Sequence, residues 1–415
     1  MATSTKIFSL HGRGLKLDSR ADIAPLLQEV DPAVIEEIHF GGNTIGVEAS
    51  LALAEFLEKT QALKIADFAD IFTGRLIDEI PQALSAICDA LKDKTTLVEI
   101  NLSDNAFGGR SVDPIVPFLT HNRSFQIFKL NNNGLGPAGG AVIANALTES
   151  ARLSKQENKP SNLRTVICGR NRLEDGSATA WATAFKEHGG LKEIRMPQNG
   201  IRMDGIAALV KGIAECKDLE YLDFQDNTFG ELGSQTIATV LDQWPNLHTL
   251  NLSDCVLAEE GSVSPVVEKL VEGSNPKLHT LLLQNNNFDS ATFSLLAQNV
   301  DSDLKALQRL ELQWNEVEED DASLAVLARV LKARGGKLVT EDEDEEDEGE
   351  GEEEEEEEKE EKEAEEEKKG EDEEAKKPAA PSAEEPLTAK SLLEKANDAL
   401  ADLMSKVSIG SEPSS

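Results

Sequence analysis

The stretch Ile100-Asn101-Leu102-Ser103-Asp104-Asn105-Ala106-Phe107-Gly108 decides the fold. It reads apolar-x-apolar-x-x-Asn-x-apolar-Gly, too short for a helix and spaced like a strand that ends in a turn. The pattern recurs in Phe128-Lys129-Leu130-Asn131-Asn132-Asn133-Gly134-Leu135-Gly136 and in segments anchored at Asn43, Asn171, Asn199, Asn227, Asn286 and Asn315. Two further copies carry Phe68 and Cys255 at the anchor, and a degenerate first copy runs Phe8-Ser9-Leu10-His11-Gly12-Arg13. Successive anchors from Arg13 lie 30, 25, 37, 28, 38, 28, 28, 28, 31 and 29 residues apart.

A dominant period of 28 is that of the long leucine-rich repeat, in which each unit is a short parallel strand followed by a helix. Between anchors, Ile206 to Ala214 and Ile237 to Leu241 place apolar residues at helical spacing. The expected fold is therefore α/β, a ribonuclease-inhibitor-like horseshoe of about eleven strand-helix units over residues 1–340. The repeated Asn has a structural task first. Its side chain can satisfy backbone groups left without ladder partners where the chain turns inward.

Two units exceed the period. One inserts Ser150 to Ser161, read as a longer helix end and a surface loop. The other adds residues directly after a strand, Ala69-Asp70-Ile71-Phe72-Thr73-Gly74-Arg75, ahead of a helix through Ile80 to Leu84. Loops at strand ends are where function concentrates on a repeating scaffold.

The formal charge is −37, from 41 Lys and Arg against 78 Asp and Glu, which excludes an ordinary nucleic-acid binder. Most of it is local. Residues 341–374 hold 26 acidic side chains and four Lys, while residues 1–340 carry 32 basic and 46 acidic groups. The acidic run has Ala364 as its one apolar residue and is expected to be disordered. It can serve solubility alone or attract a basic partner. Residues 375–415 read as a linker, Lys377 to Ser382, and a possible short amphipathic helix from Pro386 to Leu403.

Cys88, Cys168, Cys216 and Cys255 form no CxxC pair, and the six His match no metal or nucleophile motif. Buried, reduced thiols and no metal site are expected. With no signal-peptide core and no run of 18 apolar residues, a soluble intracellular protein without membrane contact is expected. No enzyme active site can be assembled from the chain alone.

Asp70 to Arg75 with Asp78-Glu79-Ile80-Pro81, the segment Leu130 to Gly136, and Ile167-Cys168-Gly169-Arg170-Asn171-Arg172-Leu173-Glu174 together resemble the Ran GTPase-activating proteins, particularly the fungal ones. The resemblance spans the horseshoe and the position of the acidic tail. It departs at Ile77, where fungal relatives can carry a Lys.

Read from chemistry, Arg75 in a Gly-preceded loop is an arginine-finger candidate for phosphoryl transfer. The resemblance implies otherwise: the residue matching Asn132 approaches the catalytic glutamine of Ran, and the residue matching Arg75 docks or orders the loop. Thr73, Gly74, Asp78, Asp104 and Arg170 are the further partner-binding candidates. A surface salt bridge for Arg75 and plain rim solvation for Asn132 are the alternatives.

The implied function is activation of GTP hydrolysis on Ran, completing its active site in trans and supporting nucleocytoplasmic transport. GTP and magnesium would be held by the partner, so the chain needs no cofactor of its own. The implied partner is Ran-GTP, with Ran-binding proteins or transport receptors, engaged by a monomer in the cytoplasm, enriched near the nuclear envelope. With 41 residues after Glu374, neither the large C-terminal domain of animal relatives nor a plant-type N-terminal targeting domain is expected. Rival readings are a ribonuclease-inhibitor-like binding protein, usually Cys-rich, and an acidic histone chaperone, which has shorter and fewer repeats.

Overall fold

The computed structural model describes residues 5–341 apart from 110, 260 and 319. The proposed acidic run beyond Glu341 and the C-terminal helix lie outside the described residues. Twelve parallel strands, from Ile7–Ser9 to Lys337–Val339, form one sheet in which spatial order follows chain order. Each is three residues long, and in every strand between the first and the last the central side chain, such as Ile100, Phe128, Val166 or Ile194, is fully buried. The helices of successive units stack behind the sheet and close a continuous core with Leu53, Leu84, Ile143, Trp181 and Leu209. Full burial of one such side chain is worth about 1.5–3 kcal/mol, and every unit needs its neighbours to achieve it. Among the described residues, no helix is long and apolar enough to cross a membrane.

The Asn ladder is built as the repeat pattern requires. Asn105 Nδ2 donates to the carbonyls of Phe68, Leu102 and Ser103, while its own backbone N–H donates to Asn133 Oδ1 at 3.0 Å. Asn133 N–H donates in turn to Asn171 Oδ1, and Asn171 N–H to Asn199 Oδ1, each at 2.9 Å. Cys255 fills its slot by pointing Sγ at the carbonyls of Phe224 and Ser253, both at 3.3 Å.

The third unit corrects the sequence reading. Ile65, Ala66 and Asp67 pair with Glu99, Ile100 and Asn101, which puts Ile71 rather than Phe68 at the Asn105 level. Ile71 N–H donates to Asn105 Oδ1 at 2.8 Å, as an anchor residue should. The spacing from Asn43 to Ile71 is thus the normal 28, and the extra residues follow the anchor. The strand Lys337–Val339 is a twelfth, closing member that the eleven anchors did not include. The helix expected to reach Leu241 ends at Ala238, with a separate 3-10 turn at Leu241–Gln243. The insert before Ser161 does lengthen a helix, which runs from Gly136 to Gln156.

A second, two-stranded parallel sheet joins Lys16–Leu17 to Thr44–Ile45 in the first two units. It forms the platform for the long loop.

Candidate functional site on the repeat rim

Immediately before each anchor the chain leaves the strand through a left-handed residue. Asp70, Asp104, Asn132 and Arg170 have φ of 47°, 61°, 52° and 55°. Asp and Asn enter this region more readily than other side chains, whereas Arg rarely does. The four are consecutive rungs. Asp70 N–H donates to the Ser103 carbonyl, Asp104 to Asn131, Asn132 to Gly169 and Arg170 to Pro197, all at 2.9 Å. Adjacent rungs are about 4.8 Å apart, so the row displays two carboxylates, an amide and a guanidinium along one edge.

Asn132 is exposed, and its Nδ2 donates to Asp104 Oδ1 at 3.0 Å. An ionised carboxylate only accepts, so Asp104 fixes which end of the amide faces it. Asn132 Oδ1 is thereby turned away from Asp104. Beneath it, Asn131 Oδ1 accepts from Gly169 N–H at 2.6 Å and Asn131 N–H donates to Ser103 Oγ at 3.1 Å, which pins the backbone. A Cβ on Gly169 would lie 2.8 Å from Pro197 Cγ, so only Gly fits this rung.

Arg75 is not the exposed side chain that its loop position suggested. Its side chain is 8% exposed. Nε donates to Thr44 Oγ1 at 2.8 Å, Nη1 to Asp18 Oδ1 at 2.6 Å, and Nη2 to the Thr44 carbonyl at 3.0 Å and the Leu17 carbonyl at 3.4 Å. The fork thus binds both strands of the small sheet at once. Gly46 makes room for it, because a Cβ there would sit 3.0 Å from Nη1 and 2.9 Å from the Asp18 carbonyl. The Arg75 hydrogen bond, with help from Lys16, holds the Asp18 carboxyl below its ordinary range.

The loop this clamp holds carries the other candidates. Thr73, Gly74 and Asp78 are exposed. Thr73 Oγ1 donates to Asp70 Oδ1 at 2.5 Å, joining the loop to the rim row. Leu76 N–H donates to Glu79 Oε2 at 3.0 Å, which shapes the tip. That tip shows two apolar side chains to solvent, Leu76 at 70% and Ile77 at 57% exposure. Sequence reading missed Leu76, Asp18 and Thr44. A repeat template predicts apolar residues to be core, and it carries no signal for side chains that partner an insertion from another unit.

The rim therefore offers polar groups and an apolar tip. No group of three or more His, Cys, Asp or Glu among the described residues could hold a metal ion.

No family model matches the chain. Pig ribonuclease inhibitor is 24% identical over 61% of this chain and 53% of its own length. Ran GTPase-activating protein 1 of Xenopus laevis is 43% identical over 46% of this chain, which matches only 34% of that longer protein. Ran GTPase-activating protein 1 of Saccharomyces cerevisiae is 39% identical over 332 residues, covering 78% of this chain and 81% of the yeast protein. Identity of that extent, over a horseshoe whose rim carries the motif residues in adjacent rungs, shows that the chain belongs to the Ran GTPase-activating proteins.

Proposed function

We propose that the chain accelerates GTP hydrolysis on Ran by acting on the active site of its partner, and that Asn132 is the residue that does so. Slow hydrolysis by a small GTPase reflects a poorly positioned attacking water and unneutralised transition-state charge. An activator can correct either by adding an arginine or by ordering the GTPase's own glutamine.

The observation that carries the choice is the state of Arg75. Four hydrogen bonds within its own chain hold it, and extending it toward a γ-phosphate would break all of them and leave Asp18 with only Lys16 as its cationic partner. Asn132 needs no such rearrangement. With Nδ2 on Asp104, its Oδ1 can accept from the amide N–H of a partner glutamine and so fix the orientation of that side chain. Arg75 acts at one remove, as the clamp that presents Thr73, Leu76, Ile77 and Asp78.

The chain thus supplies no catalytic machinery of its own and needs no cofactor; GTP and magnesium belong to the GTPase. Hydrolysis of the GTP held by Ran in the cytoplasm would discharge transport complexes there. Single-turnover hydrolysis with Ran-GTP and catalytic amounts of the chain tests the reading. Phosphate release should be strongly accelerated by the native chain, and an unchanged rate would overturn it.

A further inference from the structure

The far end of the same rim differs from the end that carries Asn132. The strand ends and loops at 223–232, 251–263, 282–290 and 311–321 contain thirteen Asp and Glu and no Lys or Arg. The rungs there run Asp226, Asp254, Asn285, Trp314, again all left-handed, with φ of 53°, 57°, 49° and 58°. Asp254 N–H donates to the Gln284 carbonyl and Asn285 N–H to the Gln313 carbonyl, so these rungs are neighbours.

Trp314 is the anomaly. A bulky aromatic in the left-handed region is a genuine outlier that is strained unless something over-determines it. Packing does not compensate, since Trp314 is 62% exposed, whereas Trp181 and Trp244 are fully buried. Two units earlier Val256, also left-handed at φ 56°, is 42% exposed. Asn285 lies between them and donates to Asp254 Oδ1 at 2.7 Å. One residue inward, the Gln313 side chain is buried and its Oε1 has no hydrogen-bond partner among the described residues.

We propose that this C-terminal rim, centred on Trp314 with Val256 and walled by Asp226, Asp254 and Glu316, docks an extended lysine- or arginine-rich segment of a partner protein. An indole face attracts a cation through its ring quadrupole, and Arg is the more frequent partner. Exposed Trp beside apolar and charged groups is also the usual composition of a binding hot spot. The surrounding carboxylates select for basic and against acidic partners.

The test uses the full chain and no GTPase, so it stands or falls separately from the Ran reading. A twelve-residue peptide of alternating Lys-Ser-Arg-Gly is titrated in, with a Glu-Ser-Glu-Gly peptide as control. Acrylamide quenching of intrinsic fluorescence reports Trp314, because the other two tryptophans are buried, and isothermal calorimetry reads the affinity of the native chain and of each variant. The basic peptide should protect Trp314, Trp314→Ala should weaken binding about 5–20-fold, and Asp226→Asn with Asp254→Asn about 10-fold at low salt. Absence of protection overturns the proposal. Equal affinity in Trp314→Ala does so too, since it leaves only diffuse attraction to the acidic run.

Discussion

Asn132 donates its Nδ2 hydrogen to Asp104 Oδ1 at 3.0 Å, so a carboxylate one rung away sets the direction of the amide that we propose acts on the partner. Removing the amide should therefore hurt more than removing its guide. Asn132→Ala is expected to lower the accelerated hydrolysis rate by at least about 10²-fold, the scale of losing one positioned polar contact in a transition state, with little change in affinity for Ran-GTP. Asp104→Ala should cost only about 10-fold, because the freed amide still samples the right orientation. Stopped-flow phosphate release with separately measured affinity distinguishes these; equal effects of the two substitutions would contradict the orienting role.

Arg75 should behave as a structural clamp. Lys cannot reproduce a fork that reaches Thr44, Asp18 and Leu17 together, so Arg75→Lys and Arg75→Ala should both destabilise the chain by about 2–4 kcal/mol, with part of the Asp18 contribution screened by solvent. Gly46→Ala should mimic them more mildly by crowding Nη1. Hydrogen exchange at residues 72–79 should rise in all three, with weakened Ran association. A variant with loop protection intact and hydrolysis lost would instead restore the arginine finger.

Much of the fold was legible because each unit repeats the same physical needs: a buried central side chain, a buried residue two further on, and an Asn that caps the turn. The reading slipped where those needs were met by an atypical residue. Ala66 at a strand centre is small enough to pass for a spacer, and Ile71 at an anchor lacks the amide, so the repeat pattern alone puts the anchor three residues early, on Phe68. The rim position of Asn132 followed directly from Asn133. The burial of Arg75 did not, because two of its acceptors are backbone carbonyls of Leu17 and Thr44, which leave no mark in a side-chain pattern.

Cys255 tests the ladder itself. Its thiol replaces the amide that Asn supplies in neighbouring units, with two weak contacts at 3.3 Å. Cys255→Asn should restore stronger donors and raise stability by about 1 kcal/mol, whereas Asn133→Ala should lower it by about 2–4 kcal/mol by stranding buried carbonyls. Urea denaturation of both variants checks the contrast. Thiol chemistry should agree with it: burial pushes Cys168 and Cys216 up to about 12 and raises Cys88 and Cys255 as well. None of the four should react with a thiol reagent at pH 8 until the chain unfolds.

His188 predicts how stability responds to acid. It is buried at the far end of its helix, with Nδ1 2.6 Å from Ser161 Oγ. Burial pushes its pKa from 6.5 down to about 4; the nearby Leu147 carbonyl offsets this only in part, and the Arg164 charge adds to it. The folded chain thus keeps His188 neutral where the unfolded chain protonates it. Its contribution is complete above about pH 6.5 and is lost as the pH falls toward 4. At pH 5 the loss should be on the order of 2 kcal/mol, in a range where most unfolded carboxylates are still ionised. His188→Gln should be less stable at pH 7 but nearly flat between pH 7 and 5. A parallel slope in wild type and variant would assign the acid sensitivity to carboxylates such as Asp18, whose depressed pKa acts in the same direction at lower pH.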